Sequence, residues 1–419
     1  MSNVPKLSND CFALPPGKHW TPVDETLARL RERVKVVTGI ETVPTNKAGG
    51  RILAEDVLAK RDNPPYANSA VDGYGFAFSS LLEGDQQLPL MDGRSAAGGP
   101  FDGVVSAGKA LRILTGAMVP DGIDTIVLEE DVAIEDGMVI FQRGLKLGAN
   151  VRPKGEDVSQ GYIIFPTGKT LQPQDLGLLA AVGVGSVHVR KRLRVAVLST
   201  GDEIRQFGED IAPHQIYDAN RPMLLELIRR WEMEPVDLGH VRDDAELVKQ
   251  MLSKGAMDAD VILTTGGASA GDEDHISAAL QTSGTLNLWR VAVKPGRPLA
   301  LAMWEGVPVF GLPGNPVAAF VTTLIFARPT LLKLCGAGWA EPLGVNLPAA
   351  FSKNKKPGRR EYLRAKINAD GRAEIFQSEG SGRVSGLSWA EGLVELGDEG
   401  RVITEGDHVK YYSFAEFGL

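Results

Sequence analysis

The chain has 419 residues, of which 43% are apolar and 23% charged, a balance typical of soluble folded proteins rather than disordered chains. This length exceeds what one hydrophobic core supports, so we expect about two to four domains. The net charge of −8 argues against the basic surface of a nucleic-acid-binding protein. The two cysteines, Cys11 and Cys335, are too few and too far apart for a disulfide framework or a zinc site.

The N-terminal sequence lacks the apolar core of a signal peptide, and residues 1–20 are predicted to form a loose tail. The longest apolar stretch identified, residues 176–189, is short and interrupted by glycine, so we expect no transmembrane helix. These features predict a soluble cytoplasmic protein with no membrane and no nucleic-acid partner.

The first predicted element is a helix over residues 21–37. Thr21 can cap it, Pro22 fits its first turn, and Gly39 stops it. Its apolar residues recur on one face, which predicts packing against a later domain.

Residues 40–192 show short strands separated by Gly and Pro, as at 111–120 and 125–128, with one helix over 172–183. From residue 193, strands alternate with helices. The predicted strands are 195–198, 235–238, 261–265, 288–293 and 307–310, and the helices are 220–231, 243–255, a segment ending at 282, and 315–334. Such alternation predicts a doubly wound, mostly parallel α/β sheet. Residues 339–419 are predicted to form a small β domain.

Three strands of this sheet run into glycine-rich text: STGDEI, GGASAGDEDHI and GLPGNPVAAF. The carboxyl ends of parallel strands share one edge, where ligands bind and backbone N–H groups can hold an anion. Acidic residues nonetheless follow the second motif. Carboxylates can lie beside a phosphate if a Mg²⁺ ion lies between them and the phosphate oxygens. As alternatives, Asp243 can cap a helix and Asp274 can favour a helix dipole.

Other clusters are open to two interpretations. Lys294 and Arg297 flank a Pro-Gly turn and could converge on an anion, or form a solvated hairpin tip. A second set could belong to a site or to ordinary turns: Asp72, Thr115, Arg152, Lys154, Glu156 and Asp157. A third set could bind an oxyanion or form a solvated basic face: Arg359, Arg360, Arg364, Ser381 and Arg383. His275 is predicted to lie on a helix surface and not to be a catalytic residue. The text contains no GxSxG, GxxxxGK[ST], HExxH or CxxC motif.

Taken in order, these segments resemble the MoeA/gephyrin E-domain family of molybdopterin molybdenumtransferases. The matching text, spanning roughly residues 50–385, is NSAVDGYGF, LTGAMVPDGIDTIV, NVRPKGEDVSQG, STGDEI, IYDANRPML, TTGGASAGDEDHI, VKPGRP, GLPGNP and PGRREYLRAKI. The resemblance implies an elongated homodimer. It also implies a tail at 1–20, a helix at 21–39, a linking domain at 40–60 and 160–192, a β-rich domain at 61–159, a molybdopterin-binding α/β domain at 193–338 and a β domain at 339–419.

The resemblance further implies a reaction and its site. Adenylylated molybdopterin and molybdate react with Mg²⁺, the pyrophosphate link is cleaved, and AMP is released. Active sites lie between subunits. By motif position, the catalytic residues are Asp72, Thr115, Glu203, Asp243, Asp274 and Lys294, with Glu203, Asp243 and Asp274 on the metal. The substrate-binding residues are Gly266, Gly267, Ser269, Asp157, Arg297, Asn315, Arg359 and Ser381, of which Arg359 and Ser381 match molybdate positions.

The sequence departs from the family pattern at four positions. Ala67 stands where Asp is usual, Arg290 and Arg297 where lysines are frequent, and Asp272 is an added acid. Arginine keeps the charge but changes the geometry of anion binding. These departures bear on the oxyanion geometry and on molybdate-versus-tungstate preference, but not on the reaction class.

Two other functions remain open. The α/β domain alone would suit a molybdopterin adenylyltransferase, although such proteins are small and lack regions like 40–192 and 339–419. A carrier or gephyrin-like scaffold would bind the cofactor without turnover, and a tolerated Asp274→Asn change would distinguish it. The expected protein partners are the adenylyltransferase that supplies the substrate and the enzymes that accept the cofactor.

Overall fold

The computed structural model describes residues 20–266, 275–283, 285–296 and 298–419. The chain divides into two compact units, one made of residues 1–41 with 190–419 and the other of residues 42–189. Asp274, Gly267, Ser269 and Arg297 lie outside the described residues. The predicted limits of the smaller domains stay a prediction.

The first helix, α1, spans Val23–Arg33 and is shorter than the predicted 21–37. Thr21 does not cap it, because its backbone forms a β-bridge to Val291 and its carbonyl accepts from the Ala292 N–H at 2.8 Å. Pro22 occupies the cap position without a side-chain hydrogen bond. The predicted packing is confirmed, since Val23 and Leu30 are buried and α1 contacts the helix that ends at Leu334.

The unit of residues 42–189 is rich in strands, as predicted. With the strand that enters it, these are β1 Ile40–Pro44, β2 Val57–Leu58, β3 Asn68–Ser69, β4 Gly73–Phe76, β5 Gln86–Ser95, β6 Ala110–Ile113, β7 Thr125–Leu128, β8 Val132–Glu135, β9 Met138–Phe141, β10 Val151–Arg152, β11 Ile163–Phe165 and β12 Ser186–Arg190. The main sheet has the order β7-β4-β6-β5-β9-β8. Its pairs are antiparallel except β5 with β6.

Both faces of this sheet are covered by apolar side chains. Ala110 belongs to one buried cluster and its neighbour Leu111 to another, as the two-residue period of a strand requires. The predicted helix at 172–183 is confirmed as α2, Pro173–Ala181, which begins with a capping box between Gln172 and Asp175.

The second unit contains the predicted α/β sheet. Its strands are β13 Arg194–Thr200, β14 Ile204–Arg205, β15 Ile216–Tyr217, β16 Glu234–Val241, β17 Val261–Thr265, β18 Thr285–Arg290, β19 Val293–Lys294, β20 Pro298–Trp304 and β21 Val307–Leu312. Its helices are α3 Asn220–Arg230, α4 Ala245–Asp258, α5 His275–Ser283, α6 Pro316–Thr322 and α7 Arg328–Leu334, with a π-helical turn at Thr323–Ala327.

This sheet has the order β16-β13-β17-β21-β20-β18. The first four strands are parallel, and the last two are antiparallel to their neighbours. Helices α4 and α5 pack together over one apolar cluster, and α3 packs with α6. The predicted fold class is therefore confirmed. The strand predicted at 288–293 is wrong in detail, because β18 ends at Arg290 and β19 belongs to the next sheet.

The described residues contain one helix, Pro316–Leu334, that is long and apolar enough to cross a membrane by length and composition. This run has a mean hydropathy of 1.5, so the identification of residues 176–189 as the longest apolar stretch is wrong. Because 83% of the helix is buried inside the protein, it is better explained as a core helix of the α/β unit.

The C-terminal residues form the predicted β domain, with one short helix. Its elements are β22 Val345–Pro348, β23 Lys353–Lys355, β24 Arg360–Ile367, β25 Ala373–Ile375, α8 Ser385–Trp389, β26 Gly392–Leu396, β27 Arg401–Ile403 and β28 His408–Ser413. The sheet order is β19-β24-β26-β28-β22. Strand β19 pairs in parallel with β24, which joins Lys294 to the C-terminal sheet. Short 3₁₀ turns lie at Thr45–Lys47, Phe78–Ser80, Glu129–Asp131 and Phe414–Phe417.

Candidate functional site

The three strands that precede the glycine-rich segments end at one edge of the α/β sheet. Strands β13, β17 and β21 run in parallel, so their carboxyl ends are adjacent. Gly266 has φ +88°, and a Cβ there would lie 2.4 Å from the carbonyl oxygen of Thr200. A Cβ on Gly314 would lie 3.7 Å from the Cα of Gly266. Only glycine allows position 266 to approach the Thr200 carbonyl oxygen this closely, because any other residue would place a Cβ there.

Asn220, which the sequence indicated only as the start of the helix at 220–231, ties these strand ends together. Its Nδ2 donates to Thr265 Oγ1 at 2.6 Å and to the Gly314 carbonyl at 2.7 Å. Asp218 accepts the backbone N–H of Asn220 at 3.1 Å, which starts α3 at this point. The signal is present in IYDANRPML, because an Asp such as Asp218 often accepts the backbone N–H two residues later in an Asx turn.

Buried polar atoms at this edge point to a ligand-binding position. Ser199 Oγ, Thr200 Oγ1 and Asn220 Oδ1 have no hydrogen-bond partner among the described residues. A buried polar group left unpaired costs about 1–3 kcal/mol, so such atoms are normally satisfied. A polar ligand or residues 267–274, which lie outside the described ranges, would supply the partners.

Three carboxylates lie beside this edge. Asp202 donates its backbone N–H to Asp243 Oδ2 at 3.3 Å, and Asp243 returns the bond to Asp202 Oδ1 at 3.3 Å. Burial raises the pKa of Asp243, and the charges of Asp202 and Glu203 raise it further, although the Asp202 N–H and His275 act in the opposite direction. The sequence did not point to Asp202. His275, expected at the helix surface, is half-buried and interacts electrostatically with Asp243.

The capping role suggested for Asp243 is wrong. Asp244 is the N-cap of α4, and its Oδ1 accepts the N–H groups of Glu246 and Leu247, each at 2.9 Å. Asp243 therefore keeps its carboxylate available for the sheet edge. Nearby Gly201 has φ +144°, and a Cβ there would lie 2.7 Å from Glu203 Oε2, so glycine lets Glu203 fold back toward the strand end.

The carboxylates do not by themselves complete a metal site. Within the described ranges, no group of three or more His, Cys, Asp or Glu side chains has the arrangement needed to hold a metal ion. The predicted third ligand, Asp274, lies outside these ranges. Glu203 and Asp243 are brought together, but the full metal set stays a prediction.

In the other unit, the structure brings Asp72 and Thr115 together. Asp72 Oδ1 accepts the Thr115 N–H at 2.6 Å and the Thr115 hydroxyl at 2.8 Å. These two bonds hold the pKa of Asp72 below its usual value. The contact follows from the register of β4 and β6, which pairs Gly73 with Ile113. A Cβ on Gly73 would lie 1.9 Å from the Val127 carbonyl oxygen, which explains the DG sequence.

Asp157 holds a turn in the same unit. Its Oδ2 accepts from Asn63 Nδ2 at 2.8 Å, and its N–H donates to the Asn63 carbonyl at 3.0 Å. Lys154 pairs with Asp62 at 3.2 Å. The contacts of this segment are those of an ordinary turn, which was one of its two interpretations.

Lys294 is not at a solvated hairpin tip. Its Nζ lies 2.6 Å from Glu379 Oε2 and 3.5 Å from Glu361 Oε1. It lines a small pocket with Tyr362, Arg364, Ser378 and Glu379, between the start of the long helix and the C-terminal sheet. Its expected partner Arg297 is outside the described residues.

The third set of basic residues does not form one cluster. Arg360 binds Asp24 at 2.7 Å and Asp398 at 3.1 Å, and the Arg359 guanidinium lies over the Trp20 ring. Arg364 donates to the Arg383 carbonyl at 2.7 Å and to the Ser378 carbonyl. The carbonyl of Ser381 accepts from a backbone N–H at the start of α6, and Asn315 is the N-cap of α6 without a side-chain cap bond. These residues therefore have separate partners, and a role of Arg359 and Ser381 in molybdate binding stays a prediction.

Three family profiles match the chain in order. The profile described as "MoeA N-terminal region (domain I and II)" matches residues 21–183, "Probable molybdopterin binding domain" matches 196–333, and "MoeA C-terminal region (domain IV)" matches 346–414. Together they cover both units of the structure.

Named relatives and solved structures agree with the profiles. A protein of Haemophilus influenzae named molybdopterin molybdenumtransferase is 36% identical over 359 residues, which are 84% of this chain and 88% of the relative. A Synechococcus elongatus protein of the same name is 33% identical, with 85% of this chain and 90% of the relative covered. The crystal structure of a molybdopterin biosynthesis MoeA protein from Pyrococcus horikoshii has a TM-score of 0.81 and 30% identity, and the match covers 94% of this chain and 99% of that one. The resemblance seen in the sequence is confirmed, and the chain belongs to the MoeA family.

Proposed function

We propose that the protein is a molybdopterin molybdenumtransferase, which inserts molybdenum from molybdate into adenylylated molybdopterin with cleavage of the pyrophosphate link and release of AMP. The names of its relatives support this reaction. The observation that carries it is the meeting of the carboxyl ends of β13, β17 and β21, with Gly266 and Gly314, beside Glu203 and Asp243. Backbone N–H groups suit phosphate oxygens, and adjacent carboxylates suit the cation that phosphates require.

The chemistry of the carboxylates fits Mg²⁺. Asp202 and Glu203 repel the Asp243 carboxylate, which is also partly desolvated, so a divalent cation would relieve both costs. Asp243 and Glu203, with Asp274 as predicted, would hold the ion. When bound, Mg²⁺ would supply charge neutralisation at the pyrophosphate. The chain's own contribution is to orient the substrate through the backbone at Gly266 and through Ser199, Thr200 and Asn220.

For the oxyanion, the structure changes which residues we favour. Arg359 and Ser381 were expected to bind molybdate, but the pocket beside Lys294 is lined instead by Arg364 and Ser378. Lysine, guanidinium and hydroxyl groups are the donors that a tetrahedral oxyanion needs. We therefore assign molybdate, as substrate, to this pocket.

The remaining expectations are part of the same proposal. By its resemblance to the family, the protein acts as a homodimer in which Asp72 and Thr115 come from the second subunit. It works in the cytoplasm, receives its substrate from a molybdopterin adenylyltransferase, and passes the cofactor to accepting enzymes. Matches to both MoeA terminal regions disfavour the small-adenylyltransferase alternative.

The test is AMP release from adenylylated molybdopterin, with and without molybdate and Mg²⁺. We expect release to require both. Release without molybdate would contradict the transferase reaction, and tight binding without AMP under any condition would favour a carrier. Glu246→Gln is a suitable control variant, because Glu246 is an exposed acid in α4 whose carboxylate pairs with Lys249 at 2.9 Å.

A further inference from the structure

Glu379 forms ion pairs with the same lysine side chains that the proposed oxyanion would need as partners. Its Oε2 lies 2.6 Å from Lys294 Nζ, and its other oxygen binds Lys353. Both lysines also contact Glu361, at 3.5 Å from Lys294 and 3.3 Å from Lys353. Two lysines and two glutamates therefore form a closed ring of ion pairs at the pocket.

The two glutamates differ in how firmly they are held. Glu361 lies in strand β24, and its side chain is only 8% exposed. Glu379 lies outside regular secondary structure, next to Gly380, and its side chain is 39% exposed. Moving Glu361 would strip a buried carboxylate of its partners, whereas the more exposed Glu379 carboxylate can turn into water at a smaller cost. Glu379 is thus the exchangeable member of the ring.

The charges of the pocket favour this exchange. Arg364 is close enough to Glu379 to interact with it electrostatically, and both line the pocket with Lys294. If Glu379 turns away, Glu361 is the one ring carboxylate left to pair with Lys294 and Lys353, and Arg364 adds a third cation to the pocket. The excess of positive charge suits a dianion. Ser378 adds a hydroxyl that accepts the Gly380 N–H at 3.4 Å and can donate its own hydrogen to an anion.

We propose that Glu379 is an internal counter-ion that holds Lys294 and Lys353 until a free tetrahedral dianion displaces it from the pocket. This proposal rests on the assignment of the oxyanion pocket in the proposed function and adds its mode of occupation. Glu379 is a positioning residue, since it acts through the two lysines. It keeps the cations ordered in the absence of substrate and weakens the binding of anions that cannot displace it.

The experiment is a calorimetric titration of the full-length protein with sodium molybdate. Glu379→Gln keeps the shape but removes the competing charge, so we expect molybdate to bind about tenfold more tightly. Glu374→Gln is the matched control, because Glu374 lies in the same domain, pairs with Lys366 at 3.9 Å and has a side chain that is 43% exposed. It should leave the affinity unchanged. In Lys294→Gln the gain from Glu379→Gln should disappear.

A second arm separates a free oxyanion from the phosphate of a nucleotide. AMP should bind equally to the parent and Glu379→Gln proteins; an equal gain for AMP would overturn the assignment to a free dianion. No gain for molybdate in a folded Glu379→Gln protein, or the same gain in Glu374→Gln, would overturn the counter-ion role. If Glu379→Gln does not fold, Glu379→Asp, with a shorter reach, should bind molybdate more tightly than the parent, and an unchanged affinity would contradict us.

The inference and the proposed reaction can fail separately. A parent protein that binds molybdate at the Lys294 pocket but releases no AMP would defeat the proposed function alone. A parent that releases AMP, with no change in its KM for molybdate on Glu379→Gln substitution, would defeat the counter-ion role alone. We expect Glu379→Gln to lower the KM for molybdate, which a merely structural role would not do.

Discussion

Asp243 and Asp202 exchange reciprocal hydrogen bonds at 3.3 Å, each carboxylate accepting the backbone N–H of the other residue. This arrangement keeps Asp243 at the strand exit, while Asp244, one residue later, caps α4. Two adjacent acids thus perform different tasks, one at the candidate metal site and one in the stability of a helix.

Substitution of Asp243 should therefore affect mainly activity, and substitution of Asp244 mainly stability. Asp243→Asn should reduce AMP release by about a hundredfold, because a carboxylate beside the phosphate site is lost, while thermal stability changes little. Asp244→Ala should cost about 1 kcal/mol of stability through loss of the N-cap, with a much smaller effect on turnover. Thermal unfolding and AMP release on both variants test this. Comparable losses of activity in the two would contradict the assignment.

The sequence predicted the elements better than it predicted their partners. Strands β7 and β17 were predicted with their observed limits, because each is a short apolar run between turn residues. The N-cap was misplaced by one residue because Asp243 and Asp244 both precede Glu246, and only the extended backbone at Asp244, φ −121° and ψ +123°, decides between them.

The partners of the charged residues could not be predicted. Lys294 pairs with Glu361 and Glu379, which lie 67 and 85 residues away in the chain. Arg360 pairs with Asp24 at a separation of 336 residues. No local pattern encodes such contacts, because they depend on how β19 joins the C-terminal sheet. Composition alone therefore grouped Arg359, Arg360 and Arg364, which the fold separates.

The Asp72–Thr115 contact predicts a measurable change in ionisation. Thr115→Val removes the hydroxyl bond at 2.8 Å but keeps the N–H bond, so the pKa of Asp72 should rise part of the way toward 3.8. A ¹³C NMR titration of the Asp72 carboxyl measures this, and AMP release should fall if the contact serves the reaction.

The chain offers a matched control for that substitution. Thr404 donates its N–H and hydroxyl to Asp407 Oδ2 at 2.9 and 3.1 Å, and these bonds lower the pKa of Asp407 in the same way. Thr404→Val should shift the pKa of Asp407 and leave Asp72 and AMP release unchanged. An unshifted Asp72 in Thr115→Val would show that its N–H bond alone sets the pKa.

The bidentate pair between Arg360 and Asp24 predicts a pH-dependent stability. The hydrogen bonds from Arg360 lower the pKa of Asp24 below 3.8, with burial opposing. The stabilisation is therefore present above 3.8 and is lost as the pH falls through the lower folded-state pKa. Because the Asp24 side chain is 74% exposed, Asp24→Asn should cost only about 0.2–1 kcal/mol near neutral pH.

Melting temperatures of the parent and Asp24→Asn proteins across the acid range test this effect. The difference between them should shrink as the pH falls below 3.8. Glu25→Gln is the control, since Glu25 lies in the same first turn of α1 but pairs with Arg29 within the helix. A constant difference at every pH would show that Asp24 acts through packing and not through the charge that pairs with Arg360.

Two glycine-to-alanine substitutions should change the stability of the protein in opposite directions. Gly266 has φ +88°, and an added Cβ would lie only 2.4 Å from the Thr200 carbonyl oxygen, so Gly266→Ala should destabilise the sheet edge by more than about 1 kcal/mol. It should also abolish AMP release, because the strand exit that faces the phosphate must shift. Gly177 lies within α2 with nothing within 4 Å of its Cβ position, so Gly177→Ala should stabilise the protein by about 0.5–1 kcal/mol. Thermal unfolding of both variants decides, and a Gly266→Ala protein with parental stability and turnover would show that the close approach at Thr200 is not required.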